Sequence, residues 1–197
     1  MFTGIIQSKG QVIRRTGLCL KIVAPLARAR VGDSVAVNGV CLTIVKSSGP
    51  SKARRLAFDL SQETLDRTTI GAWAAGRPLN IEPALRAGDP MGGHVVQGHV
   101  DGVGRLAARR AKDGWSLFTF GFPPSMRDFF VHKGSVAIDG ISLTLLNPKN
   151  GQFDVAVIPH TEKVTNLGQA RPGDRVNLEA DPIAKQVAVL MKRRKRT

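Results

Sequence analysis

An internal repeat limits the possible folds of this chain more than any other feature of its sequence. Residues 34–43 read SVAVNGVCLT and residues 135–144 read SVAIDGISLT, an agreement in residue type at an offset of 101. Other matching pairs keep one chain order at offsets of 94 to 97: Gly4 with Gly98, Phe58 with Phe153, Thr64 with Thr161, Asn80 with Asn177, and Glu82 with Glu179. Because a repeat must be recognised before single elements are assigned, we interpret the chain as two copies of one domain with loops of different length.

Within each copy, short strands alternate with turn residues. Residues 35–37 and 40–45 flank Asn38-Gly39, a pair that favours the type I′ turn of a β-hairpin, and Asp139-Gly140 repeats the arrangement. Strand-like runs also lie at residues 18–23, 55–60, 117–122 and 153–158. We therefore expect an all-β chain of two tandem, similar, closed six-stranded Greek-key-type β-barrels, followed by a C-terminal α-helix.

Turn residues and a change of periodicity give the expected domain boundaries. Pro83, Gly88, Asp89 and Pro90 separate the copies, so we expect one barrel over residues 1–89 and a second over residues 90–181. Residues 182–197 form a helix and a basic tail, with Asp181 as N-cap, Pro182 at the first position, and an apolar stripe at Ile183, Val187, Leu190 and Met191. A lone helix with such a stripe must pack on its own barrels or on other copies of itself.

The formal net charge of +14 raises the possibility of a nucleic-acid-binding tandem barrel. However, five of the positive charges lie in residues 192–197, and the eight Phe and two Trp are not interleaved with basic residues as a stacking surface requires. A soluble protein with a basic surface is therefore favoured, with no nucleic-acid partner. No apolar run is long enough to span a membrane, and the first residues lack the layout of a secretory signal, so we expect a cytoplasmic protein.

Neither a metal nor a nucleotide cofactor is indicated by the motifs. Cys19 and Cys41 are not spaced as metal ligands, and we expect both to be reduced thiols. His94 and His99 are five residues apart, which places them on opposite faces of a strand. No glycine-rich run has Walker or dinucleotide-binding spacing.

Small polar residues follow the tight turn in both copies. Strand alternation places Cys41 and Thr43 on one face of the second hairpin strand, and Ser142 and Thr144 on the equivalent face of the other copy. On one copy alone, these side chains would only indicate a half-exposed sheet face. Their presence in both copies predicts two equivalent patches.

Several separate motifs, in fixed order, resemble those of riboflavin synthases of the duplicated-barrel type. They are MFTGII at residues 1–6, NGVCLT at 38–43, GGHVVQGHVDG at 92–102, KGS at 133–135, DGISLT at 139–144 and IPHT at 158–161. The resemblance runs from Met1 to about Met191, which makes it far more specific than any single motif.

This resemblance implies a homotrimer that dismutates two molecules of 6,7-dimethyl-8-(1-D-ribityl)lumazine, without a cofactor. The products are riboflavin and 5-amino-6-(D-ribitylamino)uracil, and the two substrates meet between the N-terminal barrel of one subunit and the C-terminal barrel of another. By motif, the expected catalytic residues are His99 and Ser142 for proton transfer, Cys41 as the counterpart of Ser142, and Asp181 as an interface carboxylate.

The expected substrate-binding residues carry over in two groups. The first pocket would contain Gly4, Ile5, Ile6, Cys41, Leu42, Thr43, Asp59, Leu60, Ser61, Gln62, Glu63 and Thr64. The second would contain Gly98, His99, Val100, Lys133, Ser142, Leu143, Thr144, Val157, Ile158, Pro159, His160, Thr161 and Glu162. A non-catalytic lumazine-binding or flavin-binding protein of the same fold is the nearest alternative, but motifs in both pockets favour the enzyme.

Overall fold

The computed structural model describes residues 1–194, which form thirteen strands and three α-helices. The first repeat contains β1 (Ser8–Thr16), β2 (Cys19–Ala24), β3 (Ser34–Val37), β4 (Val40–Ser48), β5 (Arg54–Asp59), α1 (Gln62–Arg67) and β6 (Pro78–Pro83). The second repeat contains β7 (Gly102–Lys112), β8 (Trp115–Gly121), β9 (Ser135–Ile138), β10 (Ile141–Thr144), β11 (Leu146–Lys149), β12 (Gln152–Val157), α2 (Pro159–Val164) and β13 (Arg175–Ala180). The last helix is α3 (Pro182–Arg194).

The two repeats have the same strand order, which confirms the prediction of tandem, similar, Greek-key-type barrels. The first repeat is a closed antiparallel barrel in the order β1-β2-β5-β4-β3-β6. The second is a seven-stranded sheet in the order β10-β9-β13-β7-β8-β12-β11, in which β10 and β11 together take the place of β4.

The second barrel differs from the expected six closed strands at one point. The hydrogen-bonded ladder is interrupted between β10 and β11 at Leu145. The Leu145 N–H donates to the Gly134 carbonyl oxygen, and the Leu145 carbonyl oxygen accepts from the Lys133 N–H, so neither group bonds to a neighbouring strand. Close by, Asn147 has a positive φ of 49°. In the first repeat, Ile44 makes equivalent bonds to Asp33 and Gly32, but there a bulge preserves the continuous strand. The second repeat is therefore a curled seven-stranded sheet that is open at this point, and not the closed six-stranded barrel that was expected.

Two separate hydrophobic cores fill the two sheets. The first contains Leu20, Ile22, Ile44, Phe58 and Ile81, and the second contains Phe118, Phe120, Val136, Phe153 and Leu178. The alternation of buried and exposed residues along β4, with Val40, Leu42 and Ile44 inward, matches the sequence prediction. Each repeat therefore has its own core.

The repeats meet at an approximate twofold axis through their hairpin turns. Asn38, Gly39, Asp139 and Gly140 all have positive φ, as the predicted turns require. A Cβ on Gly39 would lie 2.5 Å from the amide nitrogen of Gly140, so the turns are in direct contact. The Asn80 side chain donates to the Asp139 carbonyl oxygen at 3.0 Å, and its counterpart Asn177 donates to the Asn38 carbonyl oxygen at 2.8 Å.

The C-terminal helix begins as predicted and leaves an apolar stripe exposed. Oδ1 of Asp181 accepts a hydrogen bond from the Ile183 N–H at 2.8 Å, which caps the helix. Ile183, Val187 and Leu190 are 69%, 52% and 62% exposed. In the described part of the chain, no helix combines the length and apolar character needed to cross a membrane. The last three residues of the predicted basic tail lie outside the described residues.

Candidate active site

Two short segments cross from one repeat to the other. We call residues 3–6 the first crossing segment and residues 97–100 the second crossing segment. In the first, the Gly4 carbonyl oxygen accepts from the Ser142 N–H at 2.8 Å. In the second, the Gly98 carbonyl oxygen accepts from the Cys41 N–H at 2.9 Å. Each segment therefore lies against the hairpin strand of the opposite barrel.

Glycine is required at both crossings. Gly4 and Gly98 have φ values of 76° and 78°, a region that side chains other than glycine rarely occupy. A Cβ on Gly4 would lie 2.6 Å from the Cβ of Ser142, and a Cβ on Gly98 would lie 2.6 Å from the Cβ of Cys41. Backbone and strand are thus in direct contact at both places.

The crossing corrects the predicted grouping of residues into pockets. Ile6 packs against the second core together with Leu143, whereas Val100 packs against the first core, which contains Leu42. The first crossing segment belongs to the Ser142 pocket and the second to the Cys41 pocket, the reverse of the expected arrangement. The prediction was wrong because an offset identifies equivalent positions but does not tell which barrel a segment contacts.

The Cys41 pocket combines β4 with the second crossing segment. Cys41 is half-buried, Thr43 is exposed, and His99 is exposed beside them on the crossing segment. The Ser142 pocket combines β10 with the first crossing segment, where Ile5 occupies the position equivalent to His99. The two pockets are therefore related in backbone but unequal in their side chains.

His94 makes the Ser142 pocket different again. Its Nδ1 lies 2.7 Å from Oγ of Ser142, and its Nε2 is buried without a hydrogen-bond partner among residues 1–194. Burial lowers the pKa of His94 below its ordinary value, and the negative charge of Asp181 offsets part of this effect. A mostly neutral imidazole beside a hydroxyl can accept and return a proton near neutral pH.

The approach of His94 depends on the glycine before it. A Cβ on Gly93 would lie 2.0 Å from the Thr3 carbonyl oxygen and 3.0 Å from Oγ of Ser142. Only glycine fits between the first crossing segment and β10. Sequence reasoning considered His94 solely as a metal ligand and therefore missed this pairing.

Two buried carboxylates hold the crossing segments. Glu82 on β6 accepts from the backbone N–H groups of Thr3 and Gly4 at 2.7 and 3.0 Å. Glu179 on β13 accepts from those of Gln97 and Gly98 at 2.7 and 2.9 Å. Sequence reasoning noted these glutamates only as matched positions. A charged residue repeated within a buried strand was the signal that could have identified them.

Burial dominates the ionisation of both glutamates. It raises the pKa of Glu82, and it raises the pKa of Glu179 to about 7, although the backbone hydrogen bonds act in the opposite direction. Lys185 of α3 also favours the ionised form of Glu179, whereas the Asp101 carboxylate disfavours it.

The other predicted pocket residues of the first barrel begin at the last residue of β5 and continue into α1, and several of their side chains make contacts within the first repeat. Leu60 is buried in the first core. Ser61 caps α1 through the Thr64 N–H at 3.0 Å, Gln62 donates to Asp66, and Glu63 pairs with Arg67. Asp59 is exposed.

The equivalent residues of the second barrel follow the same pattern. Val157 is buried in the second core, and Glu162 pairs with Arg109. Ile158, Pro159 and His160 are exposed where α2 begins, and Thr161 is half-buried. Lys133 takes a φ of 65° in the turn where the first repeat has Gly32.

A cavity of about 600 Å³ lies outside both pockets, between α3 and the second barrel. Of the predicted site residues, only Asp181 lines it, together with Phe129, Val131, Val187 and Met191. Asp181 thus caps α3, faces His94 electrostatically and borders an apolar cavity.

Comparison with known proteins identifies the two repeats as two copies of one domain. The model of the Lumazine binding domain matches residues 3–84 and again residues 97–181. The Riboflavin synthase of Mycobacterium tuberculosis (strain CDC 1551 / Oshkosh) is 41% identical over 98% of this chain and 98% of its own length. That of Brucella abortus (strain 2308) is 40% identical over 96% of this chain and 98% of its own length.

Solved structures show the same fold. LumP complexed with riboflavin superposes with a TM-score of 0.81 at 22% sequence identity, over 91% of this chain and 99% of that one. LumP complexed with 6,7-dimethyl-8-(1'-D-ribityl) lumazine gives a TM-score of 0.79 over the same shares of the two chains. From the two matched domains and the identity over nearly its full length, this chain belongs to the riboflavin synthase family.

Proposed function

We propose that this chain catalyses the dismutation of two 6,7-dimethyl-8-(1-D-ribityl)lumazine molecules to riboflavin and 5-amino-6-(D-ribitylamino)uracil, the last step of riboflavin biosynthesis. The observation that carries the proposal is the presence of two related, unequal pockets in one chain of the riboflavin synthase family. A reaction between two copies of one compound needs two similar sites, and holding both copies in register supplies much of the rate.

The balance of the reaction explains why no cofactor is required. A four-carbon unit leaves one lumazine and joins the other, and the atoms of the two substrates equal those of the two products. No oxidant, reductant or water is consumed. The protein has only to bind two molecules and move protons.

In the Ser142 pocket, we assign proton transfer to Ser142 and His94. The lumazine C7 methyl is an acidic carbon acid, so a modest general base is sufficient. His94 Nδ1 accepts the Ser142 proton, and burial lowers the pKa of His94, which keeps the imidazole neutral and able to accept that proton. Asp181 stabilises the protonated imidazole by its charge.

In the Cys41 pocket, Cys41 takes the place of Ser142, and His99 supplies the imidazole. The substrate-binding role belongs to both crossing segments and to the two hairpin strands that they contact. Backbone groups there suit the edge of the lumazine ring, and Thr43, Thr64, Thr144 and Thr161 suit the ribityl hydroxyls.

The assembly we propose is a cytoplasmic homotrimer, with barrels over residues 1–89 and 90–181 and α3 as the trimerisation helix. Its support is the exposed apolar stripe of α3 and the apolar cavity beside it. An active site between subunits would pair the Cys41 pocket of one chain with the Ser142 pocket of another.

The test is incubation of the purified full-length protein with the ribityl-lumazine while riboflavin absorbance is followed. Formation of riboflavin supports the synthase. The likeness to LumP favours one alternative, a protein that binds the chromophore without chemistry. Saturable lumazine binding with no riboflavin would establish that alternative.

A further inference from the structure

Glu82 lies on β6 and Glu179 on the matched strand β13. The two residues are 4% and 2% exposed, and burial of a carboxylate is costly unless the group is well hydrogen-bonded. Each glutamate accepts hydrogen bonds from two consecutive backbone N–H groups of a crossing segment. Their position on matched strands of the two repeats makes them equivalent.

The choice of a carboxylate has a chemical reason. Both oxygens of an ionised glutamate are acceptors, so a single side chain can bind two adjacent N–H groups. A glutamine of the same shape has one acceptor and one donor, and would direct its NH₂ group at one of the two N–H donors. Glutamine therefore cannot hold the segment with both bonds.

The glycine that each glutamate holds through its N–H is the residue whose carbonyl oxygen contacts the hairpin strand of the opposite barrel. Gly4 donates its N–H to Glu82 and accepts from Ser142 through its carbonyl oxygen. Gly98 donates its N–H to Glu179 and accepts from Cys41. A displacement at a glutamate of one repeat is thus transmitted through one glycine to the hairpin strand of the other repeat.

We propose that Glu82 and Glu179 are positioning residues that act across the repeats; this inference rests on the proposed function. Glu82, in the first repeat, holds the Ser142 pocket of the second. Glu179, in the second repeat, holds the Cys41 pocket of the first.

A thiol-labelling experiment tests this crossing without relying on turnover. In a Cys19→Ser background, Cys41 is the single thiol, and its rate of reaction with an aromatic disulfide reagent reports the opening of the second crossing segment. At a pH well above the pKa of about 7 to which burial raises Glu179, we expect Glu179→Gln to raise this rate about fivefold or more, because a hydrogen bond to a charged group is lost. Glu82→Gln should change the rate less than about twofold.

The mirror experiment uses the combined background Cys19→Ser, Cys41→Ser and Ser142→Cys. Here Glu82→Gln should accelerate labelling and Glu179→Gln should not. Circular dichroism checks that each variant is folded. If a glutamine variant does not fold, the corresponding aspartate variant, which keeps the charge but is one methylene shorter, takes its place.

Three results would each overturn the proposal: a glutamate variant that accelerates labelling of both thiols equally, one that accelerates only the thiol in its own repeat, or one that accelerates neither thiol. Riboflavin formation by the same glutamate variants, in the unlabelled parent chain, supplies a second readout, where we expect kcat to fall more than KM rises. If the parent chain forms no riboflavin, the proposed function fails, while the labelling pattern still decides whether the glutamates act across the repeats.

Discussion

Nδ1 of His94 lies 2.7 Å from Oγ of Ser142 and joins the residues before β7 to the hairpin strand β10. In the other pocket, the hairpin strand carries Cys41, and the imidazole is that of His99 on the second crossing segment. The two pockets therefore differ in their ionisable side chains, which suits the proposed reaction, in which one substrate molecule gives the four-carbon unit and the other receives it.

The first prediction concerns this pair. His94→Gln and Ser142→Ala should each lower kcat by about tenfold or more, since general acid–base groups contribute factors of this size or larger. If the two side chains act as a unit, the double variant costs little more than either single variant. Steady-state formation of riboflavin measures all three. Fully multiplicative losses would show that the residues act independently.

The second prediction uses glycines at positive φ. Gly4→Ala and Gly98→Ala introduce a Cβ 2.6 Å from a Cβ of the opposite barrel. Because repacking relieves such an overlap only in part, we expect riboflavin formation to fall by about tenfold or more. Gly32→Ala is the matched control, because Gly32 has a φ of 91° and no atom within 4 Å of the added Cβ. That variant should lose only about 1 kcal/mol of stability. Similar losses of activity in all three would point to backbone strain alone.

The third prediction follows from the proposal that the active site lies between subunits. Gly98→Ala damages the Cys41 pocket, and Gly4→Ala damages the Ser142 pocket. After subunit exchange, mixed oligomers should recover activity, because an intact Cys41 pocket of one chain can meet an intact Ser142 pocket of the other. Activity that never exceeds the sum of the separate variants, despite exchange shown by mass spectrometry, would contradict this.

The fourth prediction is a dependence of stability on pH. Burial raises the pKa of Asp139 from 3.8 to about 6. Between these values, the unfolded chain releases a proton that the folded chain keeps, so the free energy of unfolding falls as the pH rises through this window. Asp139→Asn introduces the residue that the first repeat has at Asn38 and removes this titration.

Urea unfolding of wild type and Asp139→Asn at several pH values measures this effect. The stability of wild type relative to the variant should decrease from pH 4 to pH 6 and stay constant above about pH 7. Because Glu179 and Glu82 are present in both proteins, they cancel in the comparison. A relative stability that increases with pH would mean that Asp139 is ionised in the folded chain at low pH.

The fifth prediction concerns α3. Val187→Glu places a charge within the exposed apolar stripe and should convert the proposed trimer to monomers, with riboflavin formation lost in parallel. Val189→Glu makes the same change on the opposite side of the helix and is the matched control. Sedimentation velocity measures the mass of each. A trimer that persists in Val187→Glu would remove α3 from the assembly.

The repeat made most of the fold predictable. Asn38-Gly39 and Asp139-Gly140 identified the hairpins, and strand alternation identified the inward residues of β4, since both depend on local geometry. The break of the second barrel at Leu145 was not predictable, because both repeats have apolar residues there and only tertiary contacts decide whether the strand continues.

The sequence motifs pointed to candidate site residues but not to the way in which the fold pairs them. Cys41, Ser142, Gly4 and Gly98 were identified from motifs, yet their pairing across repeats depends on how the barrels dock. The pairing of His94 with Ser142 was missed because the two residues are 48 positions apart in the chain. A long-range hydrogen bond of this kind leaves no local pattern.

The most direct test of the account is the stoichiometry of the reaction of the purified protein with 6,7-dimethyl-8-(1-D-ribityl)lumazine alone. Absorbance and chromatography count the lumazine consumed, the riboflavin formed and the 5-amino-6-(D-ribitylamino)uracil formed. We predict one molecule of each product for every two molecules of lumazine, with no added cofactor. Lumazine that is bound but never converted to riboflavin would contradict the account.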